Sequence, residues 1–388
     1  MDRCCDNLVS NTIGAYEYTG HGGDGLERIT IIGVGPVGVS MGLGLMKRKL
    51  NNTEIIISSG DRGVMSAVSK MNAANETVSN LRSAVEGAQL VVLDLPIGEM
   101  REILEAIGPV LDEGAVVTDT CATKTPVLEW AESYIRSDVD FVGGHPLPKR
   151  LPNTIESADP SIFTDARYTV TPGEKTDESS IRTVVGLIEA LGSKPLFLDP
   201  AEHDSYAAAM HYLPLVMSSA FVNATAGSDG WREMHELADA NFDNFSRLAS
   251  NDPLDNEAVC LASPDALVHW VDQLIGQLYA FRNQIKDKDE QLLERFVTSW
   301  ELRARWEADA VVPDNSLDLP SASQSMATAF FGDRLAKRMQ GLRGEGEEKK
   351  TLRILPKEPR LSMAPPVHLM ANLRWNAFCL SSAITDDL

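Results

Sequence analysis

At 388 residues, 43% of them hydrophobic, the chain is long enough for two domains and a large core. A formal net charge of −21 excludes a general affinity for nucleic acid, whose phosphates it repels. No segment approaches the roughly 18 consecutive apolar residues of a membrane span, and the five cysteines suit neither a disulfide framework nor C-x-x-C metal spacing. A reducing cytoplasm is therefore the expected setting. Residues 1–27 lack the apolar core of a signal peptide and read as an N-terminal extension.

Arg28–Ile32 reads as a strand, and it runs straight into Gly33-Val34-Gly35-Pro36-Val37-Gly38 and an apolar helical segment, Val39 to Met46. A strand, G-x-G-x-x-G and a helix in that order form a dinucleotide fingerprint. Gly33 permits the tight turn, Gly35 lets backbone approach a pyrophosphate, and Gly38 lets helix and strand pack closely. The free N–H groups of the helix start then face the phosphates.

Glu54–Ser58 is the second strand. NAD enzymes usually end it with an acid for the ribose 2′-hydroxyl. Here the chain continues Ser58-Ser59-Gly60-Asp61-Arg62, placing a hydroxyl where the acid is expected and an arginine close by. Ser59 and Arg62 favour a 2′-phosphate, hence NADP over NAD, although Asp61 remains open as a ribose ligand. Further strands are expected at Leu90–Leu95, Ala115–Thr118, Phe141–Gly143, Tyr168–Thr171 and Pro195–Leu198, with helices such as Gly98–Ile107 and Lys124–Ile135 between them. This alternation predicts an α/β, Rossmann-type doubly wound parallel sheet over 28–199.

From about 200 to 310 no strand is expected. Leu267, Val271, Leu274, Leu278, Phe281 and Ile285 alternate spacings of four and three, and the stripe can continue through Leu292 and Phe296. A helix of roughly 40 residues built on this seam outruns a small domain, so it predicts an all-helical dimerisation and substrate domain, hence a homodimer, with core packing as the alternative. Residues 311–388 read as linker and disordered tail, with a short helix over Met326 to Met339.

A dinucleotide fold with a helical partner domain suggests hydride transfer, and the carbinol's proton then needs an acceptor. Imidazole suits that role. His145 follows Phe141-Val142-Gly143-Gly144 at the carboxyl end of a strand, where ligands of open α/β sheets bind. His203-Asp204, just after Pro200, reads as a helix start with capping rather than a catalytic pair. Arg247 suits a small anionic substrate, although a surface salt bridge is the simpler reading of its spacing.

The motifs GVGPVG, VVLDLPIGEM, GAVVTDTCATK, FVGGHP, AEHDSYAAAMHYLP and FSRLASNDP, in this order, resemble the prephenate and arogenate dehydrogenases of tyrosine biosynthesis. The resemblance runs from about Arg28 to Ile285. It implies NAD(P)-dependent oxidative decarboxylation of a cyclohexadienol, His145 as proton acceptor and Arg247 as carboxylate clamp. Gly33, Gly35, Pro36, Val37, Gly38, Ser59, Arg62, Pro96, Thr120 and Lys124 are then expected around the cofactor, Lys124 near it or at the active-site mouth. Lys149, Arg150, His211 and Tyr212 are expected around the substrate.

The chain departs from the family pattern at four places. Ala122 stands where the family has a serine, and Lys149-Arg150 replace small residues. Tyr212 takes a histidine position, with His211 one residue earlier. Asp94 stands where a small or uncharged residue is common. Two alternatives therefore stay open: a dehydrogenase of the same scaffold for another hydroxy or amino acid, and a dinucleotide-binding protein without turnover.

Overall fold

The computed structural model describes residues 27–308 except Val34, Leu151 and Asn153. The N-terminal extension up to residue 26, the linker and tail beyond residue 310, and the helix expected over Met326 to Met339 lie outside the described residues. The chain divides into two compact units, the first ending at Asn283 and the second starting at Gln284.

The first unit is built on one eight-stranded sheet: β1 Glu27–Ile32, β2 Thr53–Ser58, β3 Glu76–Val78, β4 Leu90–Leu93, β5 Val116–Asp119, β6 Asp140–Leu147, β7 Arg167–Pro172 and β8 Lys194–Phe197. Their spatial order is 3-2-1-4-5-6-7-8. All pairings are parallel except β6 with β7, which is antiparallel. The order reverses between β1 and β4, and the crevice there is where open α/β sheets take ligands. β3 is three residues long at the sheet edge, too short to leave a periodic signal in the sequence.

The helices are α1 Pro36–Arg48, α2 Arg62–Met71, α3 Leu81–Val85, α4 Ile97–Ile107, α5 Thr125–Tyr134 and α6 Glu178–Leu191. β4 and β5 are buried at every residue, because helices cover both sheet faces. One face packs Ile31, Ile57 and Val92 against Val39 and Leu45 of α1 and Leu187 and Ile188 of α6. The other packs Val91, Leu93 and Val117 against Met100 and Leu104 of α4 and Val127 of α5. Each such side chain contributes about 1.5–3 kcal/mol by leaving water.

After Pro200 the chain is helical: α7 Pro200–Ala207, a π-helical turn Ala208–Tyr212, α8 Leu213–Thr225, α9 Trp231–His235, α10 Ala240–Ser246, a 3₁₀ turn Arg247–Ser250, α11 Pro253–Ala262 and α12 Pro264–Asp287. Asp199 caps α7, its carboxylate accepting from the N–H groups of Ala201 and Glu202. The cap is therefore Asp199, and the His203-Asp204 pair expected in that role is buried one turn further on.

The seam is not one continuous helix. α12 stops at Asp287, Lys288 takes a left-handed conformation at φ 52°, and α13 of the second unit begins at Leu292 and runs to Glu307. Leu292 and Phe296 thus belong to a separate helix. Within α12 only the N-terminal end of the stripe is buried, at Leu267, while Leu278 is 56% exposed and Ile285 60%. Among the described residues no helix is long and apolar enough to cross a membrane.

Candidate active site

Gly33 follows β1 at φ +94°, and a Cβ there would collide with the carbonyl oxygen of Asp94. Only glycine takes this turn without strain. Pro36 then opens α1 at a position that needs no donor. Gly33, Gly35, Pro36 and Val37 line a cleft of about 680 Å³, with Ser58 and Ser59 at the end of β2 and Asp94 and Pro96 after β4. The Ser58 hydroxyl is buried without a hydrogen-bond partner. A glycine cradle, a helix start and an unsatisfied hydroxyl in one groove fit a dinucleotide.

Asp61 caps α2, its Oδ1 accepting from the N–H groups of Gly63 at 2.7 Å and Val64 at 3.0 Å. That side chain is committed to the helix rather than to a ribose. Arg62, the first residue of α2, is exposed.

Titratable side chains concentrate around His145, which is only 7% exposed on β6. Its Nδ1 lies 3.0 Å from Nε2 of His203, and Nδ1 of His203 lies 3.2 Å from Oδ1 of Asp204. Asp204 is fixed in turn by the N–H groups of Lys124 at 2.6 Å and Thr125 at 2.8 Å, at the start of α5. A carboxylate only accepts, so His203 carries its proton on Nδ1 and presents Nε2 as an acceptor. His145 therefore donates from Nδ1, which leaves its Nε2 with a lone pair. Burial, followed by His211, His203 and Lys124, holds His145 well below the usual imidazole pKa. Burial also opposes ionisation of Asp204, but bonds from His203, Thr125 and Lys124 outweigh it and keep the carboxylate below its usual range.

The ground under His145 is a buried ion pair. Lys124 Nζ bonds Asp119 Oδ2 and, at 2.6 Å, the carbonyl of Gly144. Oδ1 of Asp119 accepts from the Gly144 N–H at 2.9 Å. Both side chains are fully excluded from solvent. Lys124, expected near the cofactor or at the mouth, is thus sealed inside: its ammonium is spent on Asp119 and on the residue before His145. The paired glycines make this possible, since a Cβ on Gly144 would lie 2.7 Å from the Asp119 carbonyl and one on Gly143 would lie 3.1 Å from Cδ of Lys124.

His211 and Tyr212 lie in the π turn. One extra residue in that turn shifts the register, so the His211 ring comes within 5.2 Å of the His145 ring while Tyr212 turns inward. The Tyr212 hydroxyl bonds Thr123 Oγ1 at 2.6 Å and is buried, a position that packs it rather than exposing it to a ligand. Thr120 likewise spends its hydroxyl inside the protein, on Asp94 Oδ1 at 2.7 Å. Ala122 is half-buried beside Tyr212 and Ala208. Lys149 and Arg150 are exposed just past β6. Arg247 is 64% exposed and pairs with Asp243 one turn earlier at 2.5 Å.

Sequence reasoning missed Asp119, Asp204 and the role of His203. The only available signal was their order: Asp119 ends a strand, and Asp204 follows a histidine. Nothing local connects either to His145, because the bonds span sequence separations of 25, 80 and 58 residues.

Residues 43–196 match the family described as prephenate dehydrogenase, nucleotide-binding domain, and residues 199–299 match prephenate dehydrogenase, dimerization domain. Together they span about two thirds of the chain, and the glycine motif lies just before the first match. The prephenate dehydrogenase of Bacillus subtilis is 24% identical over 272 residues, covering 70% of this chain and 73% of the relative. Synechocystis arogenate dehydrogenase superposes with a TM-score of 0.60 at 26% identity, covering 72% of this chain and 99% of that one. Prephenate dehydrogenase from A. aeolicus, solved with hydroxyphenyl propionate and NAD+, shares the fold with a TM-score of 0.67 at 21% identity, covering 72% and 98%.

Proposed function

This chain belongs to the prephenate and arogenate dehydrogenase family, and from that premise we propose that it converts prephenate or arogenate to the corresponding phenol with NAD(P)+. The ring carbinol loses a hydride and its hydroxyl proton, the opposite carboxylate leaves as CO2, and the ring becomes aromatic. Bound nicotinamide supplies the hydride acceptor. Everything else falls to the chain's own residues.

The observation that carries the reading is the Asp204–His203–His145 chain. It fixes the tautomer that leaves His145 Nε2 free to take the hydroxyl proton. Burial keeps this imidazole neutral at pH 7, the form a proton acceptor needs. Asp204 and His203 stabilise the imidazolium as it forms, as positioning residues rather than proton acceptors themselves. The ion pair of Lys124 and Asp119 holds the backbone before His145 in place. Arg247, exposed, takes a substrate carboxylate in exchange for Asp243.

Three finer readings accompany it. The commitment of Asp61 to its helix cap, with Ser59 and Arg62 nearby, favours NADP+ over NAD+. Exposed Leu278, Tyr279 and Ile285 on α12, together with the dimerization-domain match, favour a homodimer. Cys121 and Cys260 are free thiols, which suits the cytoplasm. We place the domain boundary at 199/200, close to where the first family match ends at residue 196 and the second begins at 199.

The test is absorbance at 340 nm with prephenate and arogenate, each with NAD+ and NADP+. Turnover is expected with at least one combination and is lost in His145→Asn. Silence in all four with dinucleotide binding intact overturns the substrate assignment. It would turn attention to another hydroxy or amino acid, which the methyl of Ala122 and the cations Lys149 and Arg150 would have to recognise.

A further inference from the structure

Asp94 is an acid in the wrong company. It follows β4, at the point where the strand order reverses, and lines the same cleft as Gly33, Gly35, Pro36 and Val37. Its Oδ2 accepts from the Gly38 N–H at 2.7 Å, so it occupies a donor in the first turn of α1. A Cβ on Gly38 would lie 2.5 Å from the same oxygen, and one on Gly35 2.8 Å from it. The carboxyl therefore stands against the glycine turn, where helix donors and dipole attract anions. Among the described residues no lysine or arginine pairs with it.

We propose that Asp94 couples dinucleotide binding to the uptake of one proton: as a carboxylate it competes with the pyrophosphate for the start of α1, and as a neutral acid it admits it. This rests on the dinucleotide reading of the cleft. The bonds around Asp94 accommodate both forms. As a carboxylate, Oδ1 accepts from Thr120 Oγ1 at 2.7 Å. As an acid, Oδ1 donates to that same oxygen, and the Thr120 hydroxyl turns to the carbonyl of Leu93 at 3.5 Å. Oδ2 accepts the Gly38 N–H strongly only as a carboxylate; as the carbonyl oxygen of the neutral acid it is a weaker acceptor and yields the donor to the pyrophosphate. Burial raises the Asp94 carboxyl against the lowering effect of Thr120, Gly38 and Gly35.

The other groups that face it do not replace it. The first turn of α1 carries no acid, and Tyr168 on β7 is buried and pushed well above the usual phenol range. Asp119 at the end of β5 is paired with Lys124. Glu99 on α4 lines the cleft but is exposed. It is the rival source of a proton and serves as the control.

The experiment is calorimetric titration of the full chain with NAD+ and NADP+ between pH 6 and 9, in buffers of different ionisation enthalpy. Wild type is expected to take up about one proton per dinucleotide, with Kd rising about tenfold per pH unit above the Asp94 titration. Asp94→Asn, of the same shape, is expected to bind with a pH-independent Kd, at least tenfold tighter than wild type at pH 9, while Glu99→Gln keeps the wild-type slope. Wild-type binding without proton uptake overturns the proposal even if the variants misfold. So does transfer of the slope to Glu99. Absence of binding by wild type at every pH removes the dinucleotide reading as well, an outcome distinct from binding that ignores pH.

Discussion

Two acids close neighbouring strands, and they live differently. Asp119 ends β5 and has Lys124 against it, two backbone partners and no water. Asp94, one strand away, has a hydroxyl and backbone N–H groups of the glycine turn but, among the described residues, no cation, and an open cleft beside it. A buried charge that is paired acts as framework, because neither partner is available to anything else. An unpaired one at a cleft wall responds to what enters. On the proposed reading, the β5 side supports His145 as proton acceptor and the β4 side governs what the glycine turn admits.

The largest expected effect tests whether chemistry lies on the Asp119 side. His145→Asn should lower turnover by about 10²–10⁴-fold, with dinucleotide affinity unchanged in a binding titration. Equal loss of both would dissolve the distinction between the two sides. Lys124→Met comes next. It strands Asp119 in the core and should cost about 3–5 kcal/mol in a urea unfolding titration. Asp94→Asn removes no charge partner, so its cost should stay below about 1 kcal/mol. If the two substitutions cost the same, Asp119 and Asp94 are not different in kind.

His203→Phe should reduce turnover by about 10²-fold, since a base freed from its bond at Nδ1 no longer holds its orientation. A merely structural loss would leave the pH profile in place, whereas removal of His203 should move its acid limb. In wild type that limb should fall below about pH 6.5, because His145 is depressed from that value. The sign for stability follows: the unfolded chain protonates His145 near pH 6.5 while the folded chain resists, so stability drops as pH falls below about 6.5. A rise in melting temperature on acidification to pH 5.5 would contradict the burial argument. Smallest of all, Arg247→Ala should change stability by no more than about 1 kcal/mol while raising KM for the substrate in steady-state assays.

Much of the fold was legible before any coordinate. Seven of the eight strands carry apolar runs bounded by turn residues, and the glycine motif announces the first crossover. The break after Asp287 was not legible, because the stripe resumes in register at Leu292, seven residues after Ile285, while residues 288–291 leave the helix with Lys288 left-handed. His145 was visible from its strand end, but its partners were not.

By itself the sequence determined the alternation of strands and helices, the glycine turn and the histidine after β6, since each depends on residues adjacent along the chain. Only tertiary structure decided that His203 and Asp204 stand behind His145, that Lys124 is buried on Asp119, and that Asp94 reaches the Gly38 N–H. Those contacts join strand ends and helix starts many residues apart. A buried charge or lone pair is settled by what folds against it, and no local pattern records that.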